Sequence, residues 1–169
     1  MNVIETERLN LREVDEADAA FILELLNDPD FVRYVADRGV RKLEDARRYI
    51  AERFTAAYRR DGFGFWLVEQ KGSGVPAGIC GLVKRDTLPG VDVGYAFLPP
   101  FRSKGYAYES AAAVAAYARD VLGLKRLLAI TNPDNVVSMR VLEKLGMRFE
   151  RMVSLSPDEP EVRLFAVDL

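Results

Sequence analysis

Apolar and polar residues alternate near the start of the chain, where Leu9 and Leu11 are set against Arg8, Asn10 and Arg12 with the period of a half-buried strand. The period then lengthens. Asp15 stands as an N-cap before a helix running to residue 27, in which Phe21, Ile22, Leu25 and Leu26 recur at helical spacing and Pro29 follows the end. Residues 43–58 predict a second helix, with Ala46, Tyr49, Ile50, Phe54, Ala57 and Tyr58 on one side, and Asp61-Gly62 ends it. Three strands follow, at 65–69, 78–83 and 91–98, separated by Gly- and Pro-containing turns as in a meander. After Pro99-Pro100 come a Gly-containing loop and an Ala-rich helix reaching 122, with Gly123 at C′. The remainder predicts a strand at 125–130, a helix at 135–145 closed by Gly146, and two last strands at 147–153 and 162–167. The expected order is βααβββαβαββ, one domain over residues 1–169, of mixed α/β (α+β) class.

Composition narrows the chemistry. With 49% apolar and 30% charged residues the chain is too hydrophobic to be disordered, and it has no apolar run of the ~18–20 residues a membrane span needs. Charges at Glu5, Glu7, Arg8, Arg12 and Glu13 leave no apolar signal region, so a cytoplasmic protein with no membrane partner is expected. Twenty-four basic residues against 26 acidic ones argue against nucleic acid as the main partner. With no histidine and one cysteine there is no Ser-His or Cys-His couple and no thiolate-rich metal site, so no metal is expected. Carboxylate, hydroxyl and backbone chemistry remain.

The stretch from Phe97 to Ala107 runs from a strand through a loop into a helix. Helix N-termini expose unpaired N–H groups and partial positive charge, so Gly105 would let backbone donors close on a phosphate, with Arg102 and Lys104 adding charge. A plain connection with Gly105 serving a turn is the other possibility. The spacing Arg-x-x-Gly-x-Ala matches neither the Walker nor the dinucleotide fingerprint, and a meander before the loop breaks the βαβ unit a Rossmann-type nucleotide site requires.

That loop resembles the Arg/Gln-x-x-Gly-x-Gly/Ala loop of the GNAT acyltransferase superfamily. Val93-Gly94-Tyr95-Ala96-Phe97-Leu98 resembles the strand before it, and Gly105-Tyr106-Ala107-Tyr108-Glu109-Ser110 the helix start after it. Asn135-x-x-Ser138 with Leu142-Glu143-Lys144-Leu145-Gly146 is similar to the RimJ/RimL branch, whose members acetylate N-terminal α-amines of ribosomal proteins. The resemblance extends from Glu5-Thr6-Glu7-Arg8-Leu9 over nearly the whole chain. It implies a mostly antiparallel seven-stranded sheet, splayed between its fourth and fifth strands (here 91–98 and 125–130) and flanked by four helices.

The resemblance further implies an enzyme transferring the acetyl group of acetyl-CoA to a primary amine by direct attack in a ternary complex. The pantetheine arm would fill the splay and pair with backbone groups of Phe97 and Leu98, one of whose N–H groups would stabilise an oxyanion. The pyrophosphate would lie on the N–H groups of Arg102, Ser103, Lys104, Gly105, Tyr106 and Ala107. Asn135 would hydrogen-bond the pantetheine, and Ser138, one turn on, would donate to the leaving thiolate. The tyrosine that many relatives use for that role is replaced near Leu142.

Each position has a plainer alternative. Asn135 is also a good N-cap, Ser138 a small residue at a crowded turn, and Glu109 an acidic residue complementing the helix dipole. Cys80 beside Ile79 and Leu82 reads as a small buried hydrophobe, and Trp66 with Phe63, Phe65 and Tyr58 as core. Asp92 and Tyr95 are placed to reach an incoming amine or a water, but alternation puts them on opposite faces, so only one enters the cleft. An α-amine with pKa ≈ 7.7–8.0 is roughly 10–20% neutral at pH 7 and a lysine below about 0.1%, so a site without histidine favours a peptide or protein N-terminus, such as a ribosomal one. A polyamine, amino acid or aminoglycoside acceptor, or a CoA-binding module without turnover, are the competing readings. A monomer or a homodimer is compatible with the sequence.

Overall fold

A computed structural model describes residues 1–169. Strands β1 (Asn2–Glu5) and β2 (Leu9–Glu13) form a hairpin, and a single 3₁₀ turn (Glu16–Asp18), closed by an Asp15 capping box, leads into α1 (Ala19–Leu26). Next come α2 (Pro29–Tyr34) and a long helix made of α3 (Leu43–Tyr49), a π-helical stretch (Ile50–Thr55) and α4 (Ala56–Asp61). The meander is β3 (Phe65–Gln70), β4 (Pro76–Lys84) and β5 (Val91–Phe97); α5 (Tyr106–Asp120), β6 (Arg126–Thr131), α6 (Val136–Lys144), β7 (Arg148–Val153) and β8 (Val162–Asp168) complete the chain. All strands join one sheet in the order β1-β2-β3-β4-β5-β6-β8-β7.

The sheet therefore has eight strands where seven were expected. The extra one, β1, is an edge strand with no fully buried residue, so it carries no strong period-2 signal. The helices also exceed the expected four. Pro29 does not merely follow α1; it occupies the first turn of α2, where its missing N–H costs nothing, and the Asp28 side chain accepts from Phe31 N. The long helix is continuous, but it holds its buried Ile50 and Phe54 through a π-helical stretch.

One sheet face carries Trp66, Cys80, Val93, Phe97 and Leu127, packed against Ala111 and Val114 of α5 and Leu142 of α6. The other carries Leu67 and Ile79 under Ile22, Leu25 and Ile50 of the helices between β2 and β3. Across the strands, Leu128, Leu164 and Ala166 continue that second face beneath Leu88 and Leu155. Seven residue pairs join β4 to β5. Only Asp92 and Leu128 pair between the parallel strands β5 and β6, and beyond that point the two strands part. The sheet is held shut at the start of β5 and open at its end, where the chain turns towards α5.

Candidate active site

The open end is bordered by residues 98–108. Ser103 (φ 60°) and Gly105 (φ 81°) take left-handed backbone conformations on either side of Lys104. That conformation is inexpensive only for glycine, and it suits the exposed Gly105 as the N-cap of α5. The first hydrogen bond of this helix to its cap runs from Glu109 N to Gly105 O (3.0 Å), and the backbone N–H groups of residues 103–108 have no backbone acceptor. A run of such donors at a helix N-terminus is an anion-binding surface. The Tyr106 side chain is turned inward, its hydroxyl accepting from Gln70 Nε2 (3.0 Å), so it can offer only its backbone.

Arg102 does not belong to that donor set. Its N–H donates to Pro99 O, while its guanidinium donates to Phe97 O (2.9 Å), Asp28 (2.5 Å) and Asp30 (2.7 Å). The expected contribution of Arg102 to phosphate binding is thus corrected, because its backbone N–H is bound to Pro99 O and each of its three guanidinium nitrogens already has an acceptor away from residues 103–108. Lys104 is exposed at the loop tip.

Strand pairing also decides which backbone groups face the gap. Leu98 N donates to Ala77 O (3.0 Å) and Gly78 lies opposite Phe97. Alternate residues of an antiparallel ladder bond the same neighbour, so Val93, Tyr95 and Phe97 turn their N–H and C=O groups towards β6. The Leu98 N–H, expected to face the gap, is bound to β4. Phe97 N–H and the backbone of Tyr95 are the groups the splay exposes.

Across the gap, Asn135 caps α6, its Oδ1 accepting from Ser138 N (3.1 Å), while its amide NH₂ makes no hydrogen bond within the chain. Both roles expected of Asn135 are therefore sterically compatible. Ser138 Oγ lies 3.0 Å from the Tyr95 hydroxyl, which also approaches Ser138 O at 3.2 Å. Burial pushes the Tyr95 phenol up to about 12, against the pull of Ser138, so it is protonated at neutral pH. One turn beyond Ser138, Leu142 is buried in the core and offers no polar group.

Asp92 is not brought to this pair. It lies on the opposite face of β5, 1% exposed, accepting from Arg85 Nε (3.1 Å) at the closed base of the splay. Burial raises its carboxyl to about 6 although Arg85 pulls it down. Cys80, opposite Tyr95 across the β4–β5 ladder, is wholly buried, and burial pushes its thiol up to about 12, which leaves it an inert core residue. Glu109 accepts from Thr6 Oγ1 (2.6 Å), Arg8 N (3.0 Å) and Arg8 Nε (2.7 Å). Burial opposes its ionisation, but these donors outweigh it and hold the carboxyl below its usual range. This clamp between β1–β2 and α5 joins residues about a hundred positions apart, and no local pattern announces it.

No helix is long and apolar enough to cross a membrane, and no cluster of potential metal ligands is present. Residues 8–148 match the Acetyltransferase (GNAT) domain family. The chain is 30% identical over 153 residues to the uncharacterized protein YkkB of Bacillus subtilis, covering 88% of this chain and 86% of that one. It is also 30% identical over 155 residues to the uncharacterized N-acetyltransferase YnaD of the same organism, covering 87% and 83%. Among solved structures, a GNAT-family acetyltransferase from Bacillus anthracis aligns with a TM-score of 0.81 at 28% identity, over 98% of this chain and 97% of the other. RimL, a ribosomal L7/L12 alpha-N-protein acetyltransferase in complex with coenzyme A, aligns with a TM-score of 0.85 at 17% identity, over 100% and 98%, a likeness of fold. The family match over residues 8–148, together with the relatives named N-acetyltransferases, shows that this chain belongs to the GNAT acetyltransferases and is an acyl-CoA-dependent acetyltransferase.

Proposed function

We propose that the enzyme acetylates a protein or peptide N-terminal α-amine, in the manner of the RimJ/RimL branch, by direct attack on acetyl-CoA within a ternary complex. The observation that carries the transfer chemistry is the Tyr95–Ser138 hydroxyl pair beside the splay, and the acceptor class rests on the lack of a histidine in the chain and the seclusion of Asp92. Acetyl-CoA supplies the activated acyl group. The N–H groups of residues 103–108 hold its phosphates, the Asn135 amide and the Tyr95 backbone hold its pantetheine, and Phe97 N–H donates to the carbonyl oxygen as negative charge builds there. Ser138 Oγ–H donates to the departing sulfur while Tyr95 O–H donates to Ser138 Oγ, so the tyrosine supplies from β5 what Leu142 cannot supply from α6. The new C–N bond forms as the C–S bond breaks; the proton lost by the amine passes to water, and the departing thiolate, held by the Ser138 hydrogen bond, takes one back from water and leaves as the thiol.

Asp92 sits outside this constellation, and with no histidine in the chain the amine must arrive already neutral to a useful degree. An α-amine meets that condition roughly two- to fourhundredfold better than a lysine side chain. The test offers one peptide bearing both a free N-terminus and an internal lysine and locates the acetyl group by fragmentation mass spectrometry. Modification of the N-terminus is expected, and predominant modification of the lysine would overturn the acceptor class.

A further inference from the structure

We infer that Arg8, from the turn between β1 and β2, is a phosphate ligand for acetyl-CoA, a fixed cation set beside the backbone donors of residues 103–108. This rests on the proposed seating of the acetyl-CoA phosphates on that loop. Arg8 Nε donates to Glu109 Oε1 (2.7 Å), its backbone N donates to Glu109 Oε2 (3.0 Å), and its guanidinium lies 4.8 Å over the Tyr106 ring. These contacts fix the plane of a rigid fork while engaging only one of its three nitrogens. Its Nη2 stands 3.3 Å from where a Cβ on Gly105 would be, so the bare glycine admits the guanidinium to the edge of the donor run. The side chain remains 45% exposed and accessible to a ligand.

The other local cations are less suited. The Arg102 guanidinium is turned away onto Asp28 and Asp30, and Lys104 is an exposed point charge on a flexible stem. Glu109 would by itself repel an anion arriving one helical turn away. Thr6 and Arg8 saturate that carboxylate, and the two free terminal nitrogens of Arg8 are in the fork arrangement that suits phosphate oxygens. The first-turn acid therefore becomes the anchor that aims a cation at the cofactor.

The variant Arg8→Gln keeps a polar side chain and removes the charge, and Arg8→Lys restores charge without the fork. Calorimetry would measure CoA and dephospho-CoA, and kcat/KM would be compared for acetyl-CoA and S-acetyl-pantetheine, which has no phosphate. The expected result is CoA binding weakened about tenfold in Arg8→Gln, partly recovered in Arg8→Lys, with turnover of S-acetyl-pantetheine unchanged. An equal loss for dephospho-CoA assigns Arg8 to the pyrophosphate, and a loss confined to CoA assigns it to the 3′-phosphate. If Arg8→Gln binds CoA as the parent does, the proposal is overturned while the loop stands. An equal loss with S-acetyl-pantetheine would reduce Arg8 to a structural prop, and a parent enzyme that does not prefer acetyl-CoA over S-acetyl-pantetheine would overturn loop and arginine together.

Discussion

Arg102 Nη2 lies 2.5 Å from Asp28 Oδ2, and through that contact the loop after β5 is tied to the cap of α2. The carboxylate is 6% exposed, and the same guanidinium also satisfies Asp30 and the Phe97 carbonyl. Arg102→Ala would leave Asp28 buried without a cation, and destabilisation of about 1–3 kcal/mol is expected, measured by urea denaturation. Arg102→Lys should recover only part of it, because an ammonium does not span three acceptors. Unchanged stability in the alanine variant would mean that water replaces the guanidinium.

Gly105 is the position at which the loop can be tested with least disturbance to the core. Its φ of 81° makes a β-branched residue strained by about 1–2 kcal/mol, and a Cβ there would crowd Arg8 Nη2. The residue is exposed, so Gly105→Val should stay folded by circular dichroism while losing heat of binding with acetyl-CoA. A folded variant with parental affinity would remove residues 103–108 from the cofactor site.

The parts of this site that follow from local pattern and those that do not are separated by chain distance. Gly105 between a strand and a helix, and Asn135 and Ser138 spaced one turn apart, are local signals, and their placement at the open end follows. Arg102 meets Asp28 across 74 positions and Glu109 meets Arg8 across 101, so the charge of Arg102 taken alone suggested a phosphate ligand that its partners forbid. The exchange of Leu98 for Tyr95 as a gap-facing backbone depends on Gly78 standing opposite Phe97. Alternation along one strand fixes which residues share a face, whereas the hydrogen-bonding edge is fixed only by the register with the neighbour.

Asp92 makes stability pH-dependent with a sign that can be stated in advance. Its carboxyl is raised by burial to about 6, so the folded chain binds this proton more tightly than the unfolded chain does. The favourable contribution is full below the ordinary carboxyl range and is lost as pH rises through about 6. Relative to Asp92→Asn, the parent should therefore lose on the order of 1–3 kcal/mol between about pH 4 and pH 7, read from urea midpoints across that range. A difference that grows with pH would show instead that the ion pair with Arg85 outweighs burial.

The hydroxyl pair of Tyr95 and Ser138 yields the sharpest kinetic expectation. Removing a positioned acid typically costs ~10²-fold in turnover, so Ser138→Ala should lower kcat by about that factor with little change in acetyl-CoA affinity. Tyr95 acts only through Ser138 Oγ in this scheme, 3.0 Å away, and its burial keeps the phenol protonated near neutral pH. Tyr95→Phe should then cost a comparable factor by itself and almost nothing further in the Ser138→Ala background, since residues acting as one unit are non-additive. Calorimetry and thermal unfolding of both single variants separate lost chemistry from lost packing. Fully multiplicative effects in the double variant would mean that the two hydroxyls act independently, and a Ser138→Ala enzyme within about twofold of the parent would leave Ser138 with packing alone.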